Sequence, residues 1–149
     1  MKPMPLGTHR FSFYTPATSN RVWELLTCAG QTPEYFHGLE ISSSWQVGDP
    51  IRICRPPSDP VTGDVLSGRV LCVRPASRLS FYFHSGADDP RTYLTWELRT
   101  ATDGTIVQLQ VDHVEHVEEL AEAEDTWLPV LAALQALLAA TGGTQPPIS

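Results

Sequence analysis

The apolar and polar positions of this chain change period twice along its length. "HRFSFYT", His9 to Thr15, alternates as a half-buried strand does. "PATSNRVWELLTCAG" follows with helical spacing: Val22, Trp23, Leu25 and Leu26 make one apolar face, Thr18 or Ser19 can cap, and Gly30 stands where the helix should stop. "TPEYFHG" predicts a second short helix, with Thr32 as cap and Pro33 at the first position, where a missing N–H costs nothing.

From Leu39 to His113 the period drops to two. "LEISSSW", "IRICR", "VLSGRVLCVR", "RLSFYFH", "TYLTWELRT" and "TIVQLQVDH" are separated by "VGDP", "PPSDPVTGD", "PAS", "GADDPR" and "ATDG", the last carrying an Asp-Gly pair suited to a hairpin. Six strands on short connections, with no intervening helix, predict an antiparallel meander. Leu94, Trp96 and Leu98 share one face against Tyr93, Thr95 and Glu97, and Val107, Leu109, Val111 and His113 share a face in the next strand. By the same phase, Arg52 opposes Ile51 and Ile53. Arg52, His84, Arg91 and Tyr93 are expected to face solvent; His37 is a further polar group in this half-apolar framework.

One apolar face must be covered, and the cover available is the C-terminal run, whose Trp127, Leu131, Leu134 and Leu138 follow helical spacing. Pro129 interrupts that run and has two places. If the helix begins near Trp127, Pro129 sits in its first turn, behind Asp125 or Thr126 as cap. If one helix runs from about Val117 to Ala140, Pro129 removes the hydrogen bond to the Asp125 carbonyl and kinks it. "VEELAEAEDTW" is rich in helix formers, which favours the long helix.

Composition narrows the class. A content of 42% hydrophobic and 18% charged residues, with no low-complexity tract, predicts a globular fold, and 149 residues suffice for one core, so residues 1–149 are expected to form a single domain with its core over about 9–140. The net charge of -7 is lopsided: no Lys or Arg follows Arg99, whereas acids crowd between Asp112 and Asp125. Phosphate binding needs a clustered basic face, so nucleic acid is not an expected partner. No apolar run approaches the ~20 residues of a membrane helix, and the N-terminus lacks a signal-peptide core, so a cytoplasmic protein without a membrane span is expected. Cys28, Cys54 and Cys72 are odd in number and widely spaced, which suggests reduced, half-buried thiols.

The order strand, helix, short helix, six strands, long helix resembles the START-like or Bet v 1-like superfamily, also called SRPBCC, and within it the branch named after the activator of Hsp90 ATPase. "TPATSNRVWELLT", "TPEYFHGLEISSSWQVGDPI", "GRVLCVRPASRLSFYFH", "TYLTWELRTATDGTIVQLQVDH" and "TWLPVLAALQALL" carry the likeness over about residues 9 to 140. The resemblance implies an α+β helix-grip fold: a curved antiparallel sheet of six to seven strands wrapped around a long C-terminal helix, with two short helices after the first strand. It also implies a cavity between sheet and helix, a site used across the superfamily for carriage, sensing or cyclisation of small molecules. Fold alone does not select among these.

The side chains suggest a small hydrophobic or aromatic molecule as partner. Phe81, Phe83, Trp96 and Trp127 are placed to line the cavity with Leu109 and Leu131, rings suited to a flat apolar ligand, and Tyr35 and Phe36 stand near its mouth. His113, inward by phase at the end of its strand, is the candidate catalytic group, because an imidazole exchanges a proton near neutral pH. No cofactor is expected; the chemistry that fits is cyclisation, isomerisation or dehydration by templating and proton transfer. "DHVEH" sets His113, His116 and Glu119 three apart, but the first belongs to a strand, so no metal site is expected. Neither a GxSxG elbow nor a Gly-rich phosphate loop occurs. The alternatives are a protein-interaction module of the Hsp90 co-chaperone type, disfavoured by the acidic balance, and a homodimer.

Overall fold

The computed structural model describes residues 8–28, 30–54, 66–84, 91–113 and 120–141. The first alternating run is β1 (His9–Thr15), and α1 (Ser19–Thr27) follows. The Thr18 hydroxyl caps α1 by accepting from the Arg21 N–H at 3.1 Å. The helix ends at Cys28, short of Gly30, and buries Val22, Leu25 and Leu26.

The second short helix is a 3-10 turn over Thr32–Glu34 with Gln31 as its N-cap. Thr32 has another use: fully buried, its hydroxyl accepts from the Ile41 N–H at 2.8 Å and ties the turn to the next strand. His37 and Gly38 then take positive φ of 52° and 75°, which stops helical hydrogen bonding there.

The six predicted strands are β2 (Glu40–Ser42), β3 (Pro50–Cys54), β4 (Leu66–Arg74), β5 (Arg78–His84), β6 (Thr92–Ala101) and β7 (Gly104–His113). With β1 they make one seven-stranded antiparallel sheet in the order β1-β7-β6-β5-β4-β3-β2. The sequence meander therefore stays a meander, and β1 closes onto its last strand. Thr102 and Asp103 link β6 to β7, with Asp103 at φ 58° as an Asp-Gly turn allows, and Ala76 turns β4 into β5 at φ 60°. The turns predicted at "PPSDPVTGD" and "GADDPR" lie largely outside the described residues.

The strand phases hold in β6 and β7, whereas a bulge between Val70 and Cys72 reverses the alternation of β4, so that Val73 rather than Cys72 packs toward the core. Leu94, Trp96, Leu98, Val107, Leu109, Val111 and His113 are all buried, whereas Arg52 is exposed and Tyr93, Thr95 and Glu97 are half-buried. The outward polar groups gather around Tyr82: the Arg91 guanidinium lies 4.5 Å from its ring centre, His84 stacks at 6.0 Å, and Tyr93 tilts against it at 5.5 Å.

The cover is α2 (Leu120–Thr141), which runs without a break through Pro129, so of the two arrangements the chain takes the long helix. Residues 114–119, and with them the expected start near Val117, lie outside the described residues. Ala123, Trp127, Val130, Leu131, Leu134 and Leu138 form the buried stripe, and Pro129 and Asp125 are on the exposed side. A proline is tolerable there because the carbonyl it strands, that of Asp125, turns to water rather than to the core. Together these elements are a helix-grip α+β fold: a curled sheet closed over a C-terminal helix. Of the thiols only Cys72 is half-buried; Cys28 is exposed and Cys54 buried.

Candidate functional site

Antiparallel pairing sets inward side chains in rows across the sheet, because directly paired residues share a face. Four rows matter. Leu98 and Val107 with Phe13 form one end, then Leu79, Trp96, Leu109 and Phe11, then Val70, Phe81, Leu94 and Val111. The last row reads Ile51, Gly68, Phe83, Thr92, His113. The first two are hydrophobic throughout and the third runs on to the half-buried His9, opposite Val111, whereas the fourth carries a hydroxyl, an imidazole and a glycine.

Gly68 is required by its neighbours. A Cβ there would stand 1.7 Å from the Tyr82 carbonyl oxygen and 2.9 Å from the Phe83 Cα, so β4 and β5 can pair at this point only without a side chain. The inner face consequently has no side chain between Ile51 and Phe83. His113, 5% exposed, closes the row two strands from Phe83, at a strand spacing of roughly 4.8 Å.

Aromatic rings stand over this row. Phe36 meets Phe83 edge-on, with centroids 6.5 Å apart and planes at 89°, and tilts against Trp127 at 5.9 Å. The neighbouring His37 is exposed, and its Nε2 donates to the Thr126 carbonyl at 2.8 Å, which ties the 3-10 segment to α2 beside Trp127. Phe36, Phe83 and Trp127, predicted from three separate elements, are thus brought together. Leu131 lies one turn along the α2 stripe from Trp127, and Leu109 and Trp96 lie two rows deeper.

Two predicted residues sit apart from this group. Tyr35 turns toward α1, where its hydroxyl donates to the Leu25 carbonyl at 2.9 Å. Burial pushes its phenol well above the ordinary tyrosine range, with Cys28 adding to the shift, so it is a fixed neutral donor in the wall. Phe81 is buried against Trp45, edge to face at 5.8 Å.

Trp45 was not singled out by sequence reasoning, which ends the strand "LEISSSW" on it; β2 stops at Ser42 and Trp45 lies in the loop that follows. It holds a positive φ of 57°, and its indole N–H donates to the Thr27 carbonyl at 2.9 Å. Trp127 is the opposite case: it is 4% exposed, and its buried Nε1 has no hydrogen-bond partner among the described residues. Thr92 and Gly68 were also not named, although Thr92 shares strand phase with a residue that was, Leu94.

Among the described residues no group of three or more His, Cys, Asp or Glu is placed to hold a metal; His116 and Glu119 of "DHVEH" lie outside them. An open groove of about 340 Å³ is lined by Arg21, Glu24, Thr27, Cys28 and Gln31. It holds an Arg21–Glu24 ion pair at 3.0 Å and none of the predicted site residues. No described helix is long and apolar enough to cross a membrane.

The family model described as "Activator of Hsp90 ATPase homolog 1-like protein" matches residues 16–139. Protein MLL2253 from Mesorhizobium loti is similar in structure, with a TM-score of 0.72 and 21% identity, over 90% of this chain and 98% of that one. DynU16, a protein in the dynemicin biosynthetic locus, gives a TM-score of 0.73 at 20% identity, over 95% of this chain but 51% of its own. The Aha1 dimer from Colwellia psychrerythraea gives 0.68 at 16% identity, over 89% and 96%. At these identities the likeness speaks for the fold. None of the curated proteins matches the sequence.

Proposed function

This chain belongs to the family of activator of Hsp90 ATPase homolog 1-like proteins, within the SRPBCC type, and on that premise we propose that it binds an apolar or aromatic small organic molecule between the sheet and α2. The observation that carries the reading is the fourth inward row. There a buried imidazole, a hydroxyl and a glycine share a row with Phe83, on which Phe36 packs with Trp127 beyond it, in an interior lined mainly by hydrophobic side chains. A mostly apolar site with a few convergent polar groups is how small-molecule sites are built. DynU16, from a biosynthetic locus, supports small-molecule chemistry as the setting.

Catalysis is the finer part of the proposal. His113 is the group available to move a proton in a cofactor-independent cyclisation, isomerisation or dehydration, with the hydrophobic walls holding the substrate in a reactive conformer. The interaction-module reading has less support. Tyr14 on β1, Leu71 on β4, Leu128 on α2 and Val47 in the loop before β3 are the exposed large hydrophobics among the described residues, and they form no series along one element. Self-association rests on the dimer of the Colwellia psychrerythraea relative and is read by light scattering.

The test is thermal stabilisation by a panel of hydrophobic and aromatic compounds, followed by His113→Ala on any compound that turns over. Stabilisation by members of the panel is the expected result. A melting temperature that no compound moves, together with measurable binding to Hsp90, would replace this reading by the interaction module; full turnover in His113→Ala would remove the catalytic role alone.

A further inference from the structure

Of the two indole N–H groups contrasted above, one is used and one is not. Trp45 donates to Thr27, whereas the Trp127 Nε1 is buried without a partner among the described residues, on the side chain that faces Phe36. A buried N–H left unmade costs about 1–3 kcal/mol, a large fraction of a domain's net stability.

We propose that the Trp127 indole N–H is the polar anchor of the ligand, and that the ligand is a neutral aromatic compound bearing a carbonyl or ether oxygen. The inference rests on the cavity reading above and deepens it. An indole N–H only donates, so its partner must be an acceptor; a hydrocarbon leaves it orphaned and an ammonium repels it. Neutrality follows from the walls. The buried polar side chains among the described residues are Thr15, Thr32, Thr105 and His113, and none carries a permanent positive charge to offset a buried carboxylate. Aromaticity follows from Phe36 and Phe83, whose perpendicular rings present both an edge and a face to a flat molecule.

The position of Trp127 suits an anchor. It lies on the buried stripe of α2, one residue from Thr126, whose carbonyl is held by His37, so the helix presents the indole from a tethered backbone. A donor fixed in this way gives orientation as well as affinity, since the oxygen end of the ligand must come to Trp127 while its rings pack on Phe36 and Phe83.

The experiment uses two matched pairs that differ only at one oxygen, indane with 1-indanone and fluorene with 9-fluorenone, and adds fluorene-9-carboxylate. Binding is followed by titration and by the indole N–H resonances, with the Trp127 signal assigned from its disappearance in Trp127→Phe. Expected is a ketone that binds about three- to tenfold tighter than its hydrocarbon, the worth of one neutral hydrogen bond. The Trp127 signal should move with the ketone alone, the carboxylate should bind no better than the hydrocarbon, and Trp127→Phe should erase the preference. If Trp127→Phe does not fold, Trp127→benzothienylalanine, which puts sulfur in place of the N–H within the same ring outline, makes the same comparison. Equal binding of hydrocarbon and ketone, with the Trp127 signal unmoved, overturns the anchor and leaves the cavity reading standing. Failure of both pairs to bind overturns the anchor, and failure of the wider panel as well overturns the cavity reading with it.

Discussion

At one end of the interior, Leu98 and Val107 face the part of α2 that carries Leu134, a section located by the Gln135 amide, which donates to the Tyr14 carbonyl at 3.1 Å. At the other, Phe83, Thr92 and His113 face the part of α2 that carries Trp127, and the section is located instead by His37 and Phe36 from the 3-10 segment. The first end is hydrophobic throughout its row and anchored to the sheet. The second is mixed in polarity, includes a position where a side chain cannot fit, and is anchored to a short connecting segment. On the reading proposed above, one end serves stability and the other recognition, because close-packed aliphatic surface contributes most to folding while polar groups in a buried, mostly apolar site are what a ligand can use.

The contrast breaks most sharply at Leu134. Leu134→Ala removes a fully buried side chain and should cost about 2–5 kcal/mol in urea unfolding, while the ketone preference is unchanged. A variant that loses the preference instead would mean the two ends are one site. Gly68→Ala acts from the other side: its Cβ collides with the Tyr82 backbone, and parting β4 from β5 should cost about 1–3 kcal/mol and displace Phe83, weakening binding. Wild-type stability and affinity in Gly68→Ala would show that the row is less constrained than its geometry indicates.

Tyr35→Phe tests the wall between the ends. It strands the Leu25 carbonyl and should cost about 1 kcal/mol near neutral pH. The pH sign follows from the raised phenol: the folded chain holds its proton where the unfolded chain begins to release it, near pH 10. The Tyr35 contribution is therefore complete below about pH 10 and declines as pH rises further, and urea midpoints at pH 8 and pH 11 should show that decline in the wild type and lose this component of it in Tyr35→Phe. The smallest effect is expected at Pro129. Pro129→Ala restores the N–H for the hydrated Asp125 carbonyl and should stabilise by about 1 kcal/mol net, helix propensity outweighing the lost rigidity of the unfolded chain. A destabilised Pro129→Ala would show that the proline's shape is used by α2.

Much of this was legible in the pattern of side chains. Period two from Leu39 to His113 placed the apolar inward residues of β6 and β7, and His113 with them, because one slip of register would expose the whole set. The stripe Trp127, Leu131, Leu134 and Leu138 is likewise the buried face of α2. Less legible was the 3-10 segment, where Thr32 caps nothing and bonds Ile41, and Tyr35 turns to α1 while the adjacent Phe36 turns to Trp127. Neighbouring residues in an irregular segment point in directions that no period encodes.

By itself, then, the sequence determined the strands, their faces, the covering helix and the candidate histidine, since burying one apolar face per element is a local demand that spacing expresses. Only the tertiary structure decided which inward residues meet. Pairing of β4 with β5 leaves room at Gly68 for no side chain, the Thr126 carbonyl receives His37, and the indole of half-buried Trp45 reaches a carbonyl whereas that of buried Trp127 does not. Those outcomes depend on distances between residues far apart in the chain, and a hydrogen bond made or missed over an ångström or two is invisible to any pattern of residue types.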